Sequence, residues 1–333
     1  MHLRSKTMQA VAGANIALVK YWGKSDAALN IPAVGSISVT LGKLNSTTAV
    51  TFLGISGPDI VEINGLAAQG REYARVTEFL DLVRTIAGRS DAAHVVSTST
   101  VPLAVGLASS ASGFAALASA ASTAANLNLT PRELTCLARR GSGSAARSIF
   151  GGFVEMHRGS PGDNRSAYAE QLLSGDQWPL KIVVVMTRLD RKITSSSAGM
   201  ELTASTSPYY PAWVETSSQD LDAMRGAIAT RDFDLLASVT EQSCLKMHAV
   251  MLAADPGLLY WNGASVEVMH RVRALRASGI AACFTMDAGP QVKVICQGDD
   301  AERIAEDLRS VPGVEAVQIV GLGSGVQVNE VLQ

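Results

Sequence analysis

The chain has 333 residues, of which 47% are hydrophobic and 17% charged, the latter well below the roughly 25% of an average soluble protein. That length suggests two domains or one large one, and that apolar fraction supports a sizeable core and excludes a disordered chain. Lys plus Arg number 28 against 30 Asp plus Glu, a net charge of −2, which gives no electrostatic footprint for nucleic acid or an anionic membrane.

In chain order, residues 9–19 and 36–41 read as strands separated by a polar stretch. Residues 47–53 and 59–64 read as a hairpin, with Gly54 to Pro58 as its turn and a half-exposed edge at VEINGLAAQG. Val76, Phe79, Leu80, Val83 and Ile86 recur at helical spacing within 72–86. HVVSTSTVP is a further strand, followed by a Gly/Ser loop and an Ala-rich helix ending near Leu127. Thr130-Pro131 gives an N-cap and a proline at the first helical position. GSGSAARSIFGG is a second Gly/Ser loop, FVEMH a strand, and WPLKIVVVMT an apolar strand that opens a second half near residue 180. Helices follow over 209–230, 232–252 and 262–277, then strands at AACFTMDAG and QVKVICQ, a helix at AERIAEDLRSV and a last strand at EAVQIVGL. Strands grouped early and helices later predict an α+β fold rather than alternating βαβ units.

Val95 to Pro131 carries no charged residue, but Pro102, glycines and many hydroxyl side chains make it a poor membrane helix. The N-terminus lacks an apolar segment of signal length, and the four cysteines show neither CxxC spacing nor nearby histidines. A cytoplasmic protein with four free thiols is the expectation. The five histidines are scattered, and no HExxH, GxSxG, GxxxxGK[ST] or GxGxxG pattern occurs. Zinc proteases, serine hydrolases, P-loop enzymes and dinucleotide folds are therefore disfavoured.

Five segments carry chemistry. In PLAVGLASSASG (102–113), Gly106 permits a tight backbone path. The small side chains leave amides open at a helix N-terminus, a cradle for a phosphate chain or simply a Ser-rich cap. In GSGSAARS (141–148), Arg147 offers a fork for a carboxylate or phosphate, although a lone arginine usually ends in solvent. Lys20-Tyr21-Trp22-Gly23-Lys24 places two lysines four apart after an apolar strand, which suits a polyphosphate or a solvated loop equally. Asp287, at the end of an apolar strand before Gly289-Pro290, is either a turn aspartate or a carboxylate that orients or deprotonates a hydroxyl. A hydroxyl cluster, Thr194 to Ser197 before Met200, follows the strand that opens the second half.

Together and in this order, ANIALVKYWGK, SISVTL, PLAVGLASSASG, RRGSGSAARSIFGGFVE, SSSAGM, MDAGP and the terminal GLGSG resemble the diphosphomevalonate decarboxylases of the GHMP kinase superfamily, over essentially the whole chain. The resemblance implies a GHMP kinase-like α+β fold with an N-terminal ATP-binding domain over 1–180, a C-terminal domain over 181–333, and the active site in the cleft between them. It implies ATP-dependent decarboxylation of (R)-5-diphosphomevalonate to isopentenyl diphosphate through phosphorylation of the 3-hydroxyl, in isoprenoid biosynthesis by the mevalonate pathway.

By the same resemblance Asp287, Lys20 and Arg147 are catalytic. Asn15, Tyr21, Lys24, Ser142, Gly143, Ser144, Ser196 and Met200 bind substrate. Gly106, Leu107, Ala108, Ser109 and Ser110 cradle the ATP phosphates. Mg²⁺ is expected with the ATP rather than in a protein cage, and the assembly as a homodimer.

One departure is visible: after Asn30-Ile31-Pro32 the family usually shows Asn-Ser-Ser, whereas this chain reads Val34-Gly35-Ser36. If those positions reach the substrate, a phosphomevalonate decarboxylase acting on the monophosphate is the alternative. A mevalonate-type kinase is a second rival and a non-catalytic phosphate-binding module a third. Retention of Asp287 and Lys20 argues against the kinase, and the presence of Arg147 beside them argues against the binding module.

Overall fold

The computed structural model describes residues 6–100, 109–187 and 194–331. In chain order the elements are β1 (Thr7–Val19), β2 (Lys24–Asp26), β3 (Ile31–Pro32), β4 (Ser36–Phe52), β5 (Ile60–Ile63), β6 (Leu66–Ala67), α1 (Gly70–Ala87) and β7 (Ala93–Ser99). Then come α2 (Ser109–Ala124), α3 (Pro131–Gly141), β8 (Phe153–Met156), β9 (Ala169–Leu173), β10 (Lys181–Thr187), α4 (Ser196–Thr206), α5 (Tyr210–Thr230) and α6 (Phe233–Leu252). The chain ends with α7 (Gly263–Ala277), β11 (Ala282–Met286), β12 (Val292–Cys296), α8 (Ala301–Arg309), β13 (Val314–Gly321) and β14 (Gln327–Glu330). The mixed arrangement agrees with the α+β reading.

Among the described residues the first sheet runs β14-β1-β4-β7-β5-β6, with β8 and β9 continuing from β4. The predicted hairpin of 47–53 with 59–64 does not form. Strand β7 lies between β4 and β5, antiparallel to one and parallel to the other. Val50, Val95 and Val61 all enter the same core there. Burying the apolar side of β7 between its two neighbours outweighs the local turn chemistry of Gly54–Pro58. The two segments read as separate strands, 36–41 and 47–53, are one ladder against β1, with a register shift where Asn15 pairs Thr40 and Gly13 pairs Asn45. The Gly-Lys-Leu-Asn stretch is thus a bulge in a continuous strand, with Lys43 at φ +66°. Ile86, at helical spacing with the buried α1 residues, is 49% exposed at the end of its helix.

Helix α2 is uncharged and Ala-rich because it lies flat against β1 and β4. Ala115, Ala116, Ala118, Ala120 and Ala121 are fully buried, and their small side chains let helix and sheet approach closely. Helix α3 starts at the predicted cap, Thr130 and Glu133 forming a reciprocal capping box ahead of Pro131.

The second sheet runs β11-β12-β10-β13, all antiparallel. Strand β10 reads as an unbroken apolar run because both its faces are covered. Ile182 and Val184 join the core shared with β1 and β4, whereas Val183 and Val185 join the core under α7 and α8. Each such burial contributes roughly 1.5–3 kcal/mol. The shared core welds the halves, and β14 returns across the boundary to pair with β1. The terminal GLGSG segment makes that crossing, Gly323 donating to the Thr40 carbonyl and accepting from the Gly152 amide.

Candidate active site

A cleft of about 950 Å³ opens where the two halves meet. Its lining includes six cationic side chains (Lys20, Lys24, Arg71, Arg75, Arg140, Arg147) and three acidic ones (Glu72, Glu78, Asp287). A chain with net charge −2 thus concentrates positive charge at one concavity, the pattern that draws in a polyanion.

The acidic group at the centre of this charge cluster is Asp287, one residue past β11. Along β11 alternate side chains face opposite cores: Phe284 and Met286 enter the α7/α8 core, while Cys283 enters the core shared between the halves. Asp287 continues the Cys283 face towards the cleft. Lys20, one residue past β1, reaches it from the first half, Nζ donating to Asp287 Oδ1 at 2.8 Å. Ser243 on α6 fixes the lysine backbone by accepting from its amide at 3.0 Å. Lys293 on β12 donates to Asp287 Oδ2 at 3.2 Å. Both lysines are 1% exposed and Asp287 26% exposed, towards the cleft. Burial by itself would raise the Asp287 carboxyl, but the two ammonium groups outweigh it and hold it far below the usual carboxylate range. It is a carboxylate at every physiological pH.

Arg147 forms a second wall. It sits in the 3-10 turn Gly143–Ile149 and is 3% exposed. Its Nη1 donates to Ser36 Oγ at 2.7 Å and its Nη2 to Asn15 Oδ1 at 3.1 Å. Asn15 is in turn fixed by donating to the Ser144 carbonyl and to Ser148 Oγ. Among the described residues no carboxylate lies within ion-pair distance of Arg147, and its Nε has no hydrogen-bond partner. Burial pulls it down to about 10, opposed by the fields of Asp287 and Tyr21, so it stays charged at neutral pH. A buried cation without an anion costs several kcal/mol unless something fills the site.

The KYWGK segment is pinned by Trp22, whose Nε1 donates to Thr203 Oγ1 and whose carbonyl accepts from Trp213 Nε1. Gly23 turns there at φ +97°, and any side chain would run into Tyr210. Tyr21 Oη is buried without a partner, and burial pushes the phenol up to about 12 against the fields of Arg147 and Arg139. Gly143 lies directly against that hydroxyl, leaving no space for a Cβ. Lys24 is pulled down by burial and by Arg75. Ser110, in the first turn of α2, faces Ser142 Oγ at 3.3 Å across the floor of the same cleft.

The predicted residues Asn15, Lys20, Tyr21, Lys24, Ser110, Ser142, Gly143, Ser144, Arg147, Ser196, Met200 and Asp287 all line this cleft. Ser109 begins α2, and Gly106, Leu107 and Ala108 lie outside the described residues. Sequence reasoning missed Lys293, Arg140 and the pair Arg71 and Arg75. That pair carried a signal, being four apart on one face of an amphipathic helix. Lys293 carried a weaker one, the single charge in a strand that pairs with the one preceding Asp287.

Val34 and Gly35 do not line the cleft. Val34 is fully buried beside Trp22 and Met247, and Gly35 abuts Leu221. The departure from the family's Asn-Ser therefore sits behind the cleft wall, where burial and not recognition sets the side chain. Ser36, which the two patterns share, is the residue that touches Arg147.

A family model for the diphosphomevalonate decarboxylase-like N-terminal domain matches residues 12–169, and one for the mevalonate 5-diphosphate decarboxylase C-terminal domain matches 182–321. The diphosphomevalonate decarboxylase of Candida albicans is 35% identical over 305 residues, 85% of this chain and 82% of that one. The chain belongs to the diphosphomevalonate decarboxylase family. The human member is 33% identical over 86% of this chain and 76% of its own. The mevalonate diphosphate decarboxylase structure from Staphylococcus aureus superposes with a TM-score of 0.93 at 38% identity, covering 97% of this chain and 98% of that one. A second family structure, MDDEF in complex with MVAPP, AMPPCP and magnesium, has a TM-score of 0.92 at 39% identity, covering 98% and 99%. The fold is thus that of the GHMP kinase-like mevalonate diphosphate decarboxylases.

Proposed function

We propose that this cleft performs the ATP-dependent decarboxylation of (R)-5-diphosphomevalonate, giving isopentenyl diphosphate, ADP, phosphate and CO₂. The observation that carries the reading is the pairing of two unlike groups across one cavity: a permanently ionised aspartate, and a buried guanidinium with no anion of its own. A substrate bearing a hydroxyl and a carboxylate on neighbouring carbons satisfies both at once. The relative that holds MVAPP, AMPPCP and magnesium together supports it.

Tyr21, Lys24, Ser142, Gly143, Ser144 and Ser196 receive the diphosphate, with Met200 packing beside the substrate. Arg147, held by Asn15 and Ser36, clamps the carboxylate with its fork. Asp287 accepts a hydrogen bond from the 3-hydroxyl. A carboxylate held this strongly by lysines is a feeble base. It therefore orients the oxygen and takes the proton only as the oxygen bonds to the γ-phosphorus and the bond to ADP breaks. Lys20 offsets the charge on the group in transit.

The C3–O bond then breaks with its electron pair on phosphate. The pair of the bond to the carboxyl carbon becomes the new double bond, and neutral CO₂ leaves Arg147. The first turn of α2, with Ser109 and Ser110 and the preceding Gly106–Ala108, cradles the nucleotide phosphates. Among the described residues no cluster of three His, Cys, Asp or Glu is placed to hold a metal. Mg²⁺ fits this site as a companion of the nucleotide phosphates, whose charge it neutralises when bound.

A homodimer in the cytoplasm, with the two functional halves divided near residue 180, completes the reading. The gap between the two family matches at 169 and 182 supports that division. No helix among the described residues is long and apolar enough to cross a membrane. Sedimentation is expected to give the mass of two chains. The deciding experiment measures CO₂ and ADP release with ATP and Mg²⁺ on mevalonate, its 5-phosphate and its 5-diphosphate in parallel. Stoichiometric CO₂ and ADP from the diphosphate is the expected result, and ADP without CO₂ from any of the three would overturn the proposal.

A further inference from the structure

Strand β12 is buried from Val292 to Cys296, and a lysine there needs a reason. Lys20 already pairs with Asp287 at 2.8 Å, so the aspartate does not need a second cation in order to be satisfied. Yet Lys293 spends its whole length inside the protein to reach the other carboxylate oxygen at 3.2 Å. The hairpin register explains how it gets there: Lys293 pairs directly with Thr285. It is therefore the diagonal neighbour of Asp287 on the same face. Lys293 does not line the cleft, so its contact with the reaction is through Asp287 alone.

We infer that Lys293 is a positioning residue, which holds one oxygen of Asp287 so that the carboxylate stays ionised and keeps a fixed orientation towards the substrate hydroxyl. The two lysines grip different oxygens, which prevents rotation of the carboxylate about its last bond. Each oxygen retains a lone pair for the substrate.

The groups facing Asp287 are few. Lys20 comes from β1 and Lys293 from β12, while Arg147 acts from its turn at longer range. On α6 lie Cys244, its thiol pushed up by burial, and His248, which burial and Lys20 pull down to about 3 and so keep neutral. Among the described residues the two lysines are the main groups opposing the burial that would otherwise protonate the carboxylate. The sign follows: a carboxyl depressed in the folded protein ionises well below neutrality, and removing one lysine moves that ionisation up into the accessible range.

This inference rests on the role given to Asp287 above, and the experiment separates the two. Lys293→Met, of similar length and uncharged, is assayed with ATP, Mg²⁺ and diphosphomevalonate between about pH 4.5 and 9, beside wild type, Asp287→Asn and the double variant. Expected for Lys293→Met are a fall in kcat of about ten- to a hundredfold, a substrate KM within about twofold, and an acid limb in kcat that wild type lacks. The double variant is expected to be no more than about twofold slower than Asp287→Asn, because Lys293 acts through that aspartate.

An unaltered pH profile in Lys293→Met, a rise in KM with kcat unchanged, or losses that multiply in the double variant would each overturn the inference. Full activity of Asp287→Asn would instead overturn the role of the aspartate. Should the apolar variant fail to fold, Lys293→Gln, which keeps a donor but no charge, gives the same readings: a slower kcat with a new acid limb supports the inference, and an unchanged profile defeats it.

Discussion

Two arginines eight positions apart, Arg139 and Arg147, are both buried, and among the described residues neither meets a carboxylate. Arg139 nonetheless makes four hydrogen bonds: its guanidinium donates to the carbonyls of Ala167, Leu29 and Asn164 and to the Asn164 side chain. It ties α3 to the β2–β3 hairpin and to the loop before β9, and burial is the largest cause of its lowered pKa. Arg147 makes two side-chain bonds, leaves Nε unbonded and opens on the cleft. The same residue type, buried in both places, closes a structural joint where carbonyls surround it and, in the function proposed above, receives the substrate where the ring of partners is left incomplete. Unmet hydrogen-bonding capacity, and not burial or charge, distinguishes the two.

The sharpest way to break this comparison is Arg147→Lys, which keeps the charge and loses the fork. Release of CO₂ from diphosphomevalonate is expected to fall about a thousandfold, roughly 4 kcal/mol of barrier, with a melting temperature close to wild type. Near-normal turnover would remove the clamp. Arg139→Met is the mirror experiment. It strands several buried carbonyl oxygens at about 1–3 kcal/mol each, so chemical unfolding should show a loss of about 3 kcal/mol or more, with kcat per folded molecule largely kept. A variant that is stable but inactive would put Arg139 in the site as well. A smaller effect is expected of Gly143→Ala, whose methyl group must displace the Tyr21 ring. Substrate KM should rise about tenfold, close to 1.4 kcal/mol, while kcat changes less.

The comparison also shows what a sequence can reveal. Both arginines fall in one RRGSGSAARS stretch, and only Arg147 stood out there because it lay inside a Gly/Ser loop. That separation was legible, as were the twelve called residues that line the cleft, whereas Arg140 of the same stretch lines it and did not stand out. Lys293 and the position of β7 were not legible, since both depend on which strand lies alongside which. A turn-rich GISGP segment looks the same whether its strands pair with each other or leave room for a third. Likewise Val34-Gly35 looked like a change in the substrate pocket, and its depth behind the wall follows only from the packing of Trp22 and Leu221.

The smallest predicted effect tests the comparison most directly, because its sign is unusual. Replacing Arg147 with Met removes a buried guanidinium whose Nε is unbonded and which no anion balances. Swapping an uncompensated buried charge for an apolar side chain of similar length relieves that cost. The substrate-free variant should therefore be more stable than wild type, by about 1 kcal/mol, in spite of losing the bonds to Ser36 and Asn15. Diphosphomevalonate at about 100 times its dissociation constant should stabilise wild type by about 2.7 kcal/mol, and this increment should shrink sharply in the variant. Thermal melts with and without substrate read both quantities at once. A variant less stable than wild type without substrate would mean that Ser36 and Asn15 already satisfy Arg147, which would make it a second Arg139. A gain in stability joined to a lost substrate response would locate the cost of the site in the group that recognises the carboxylate.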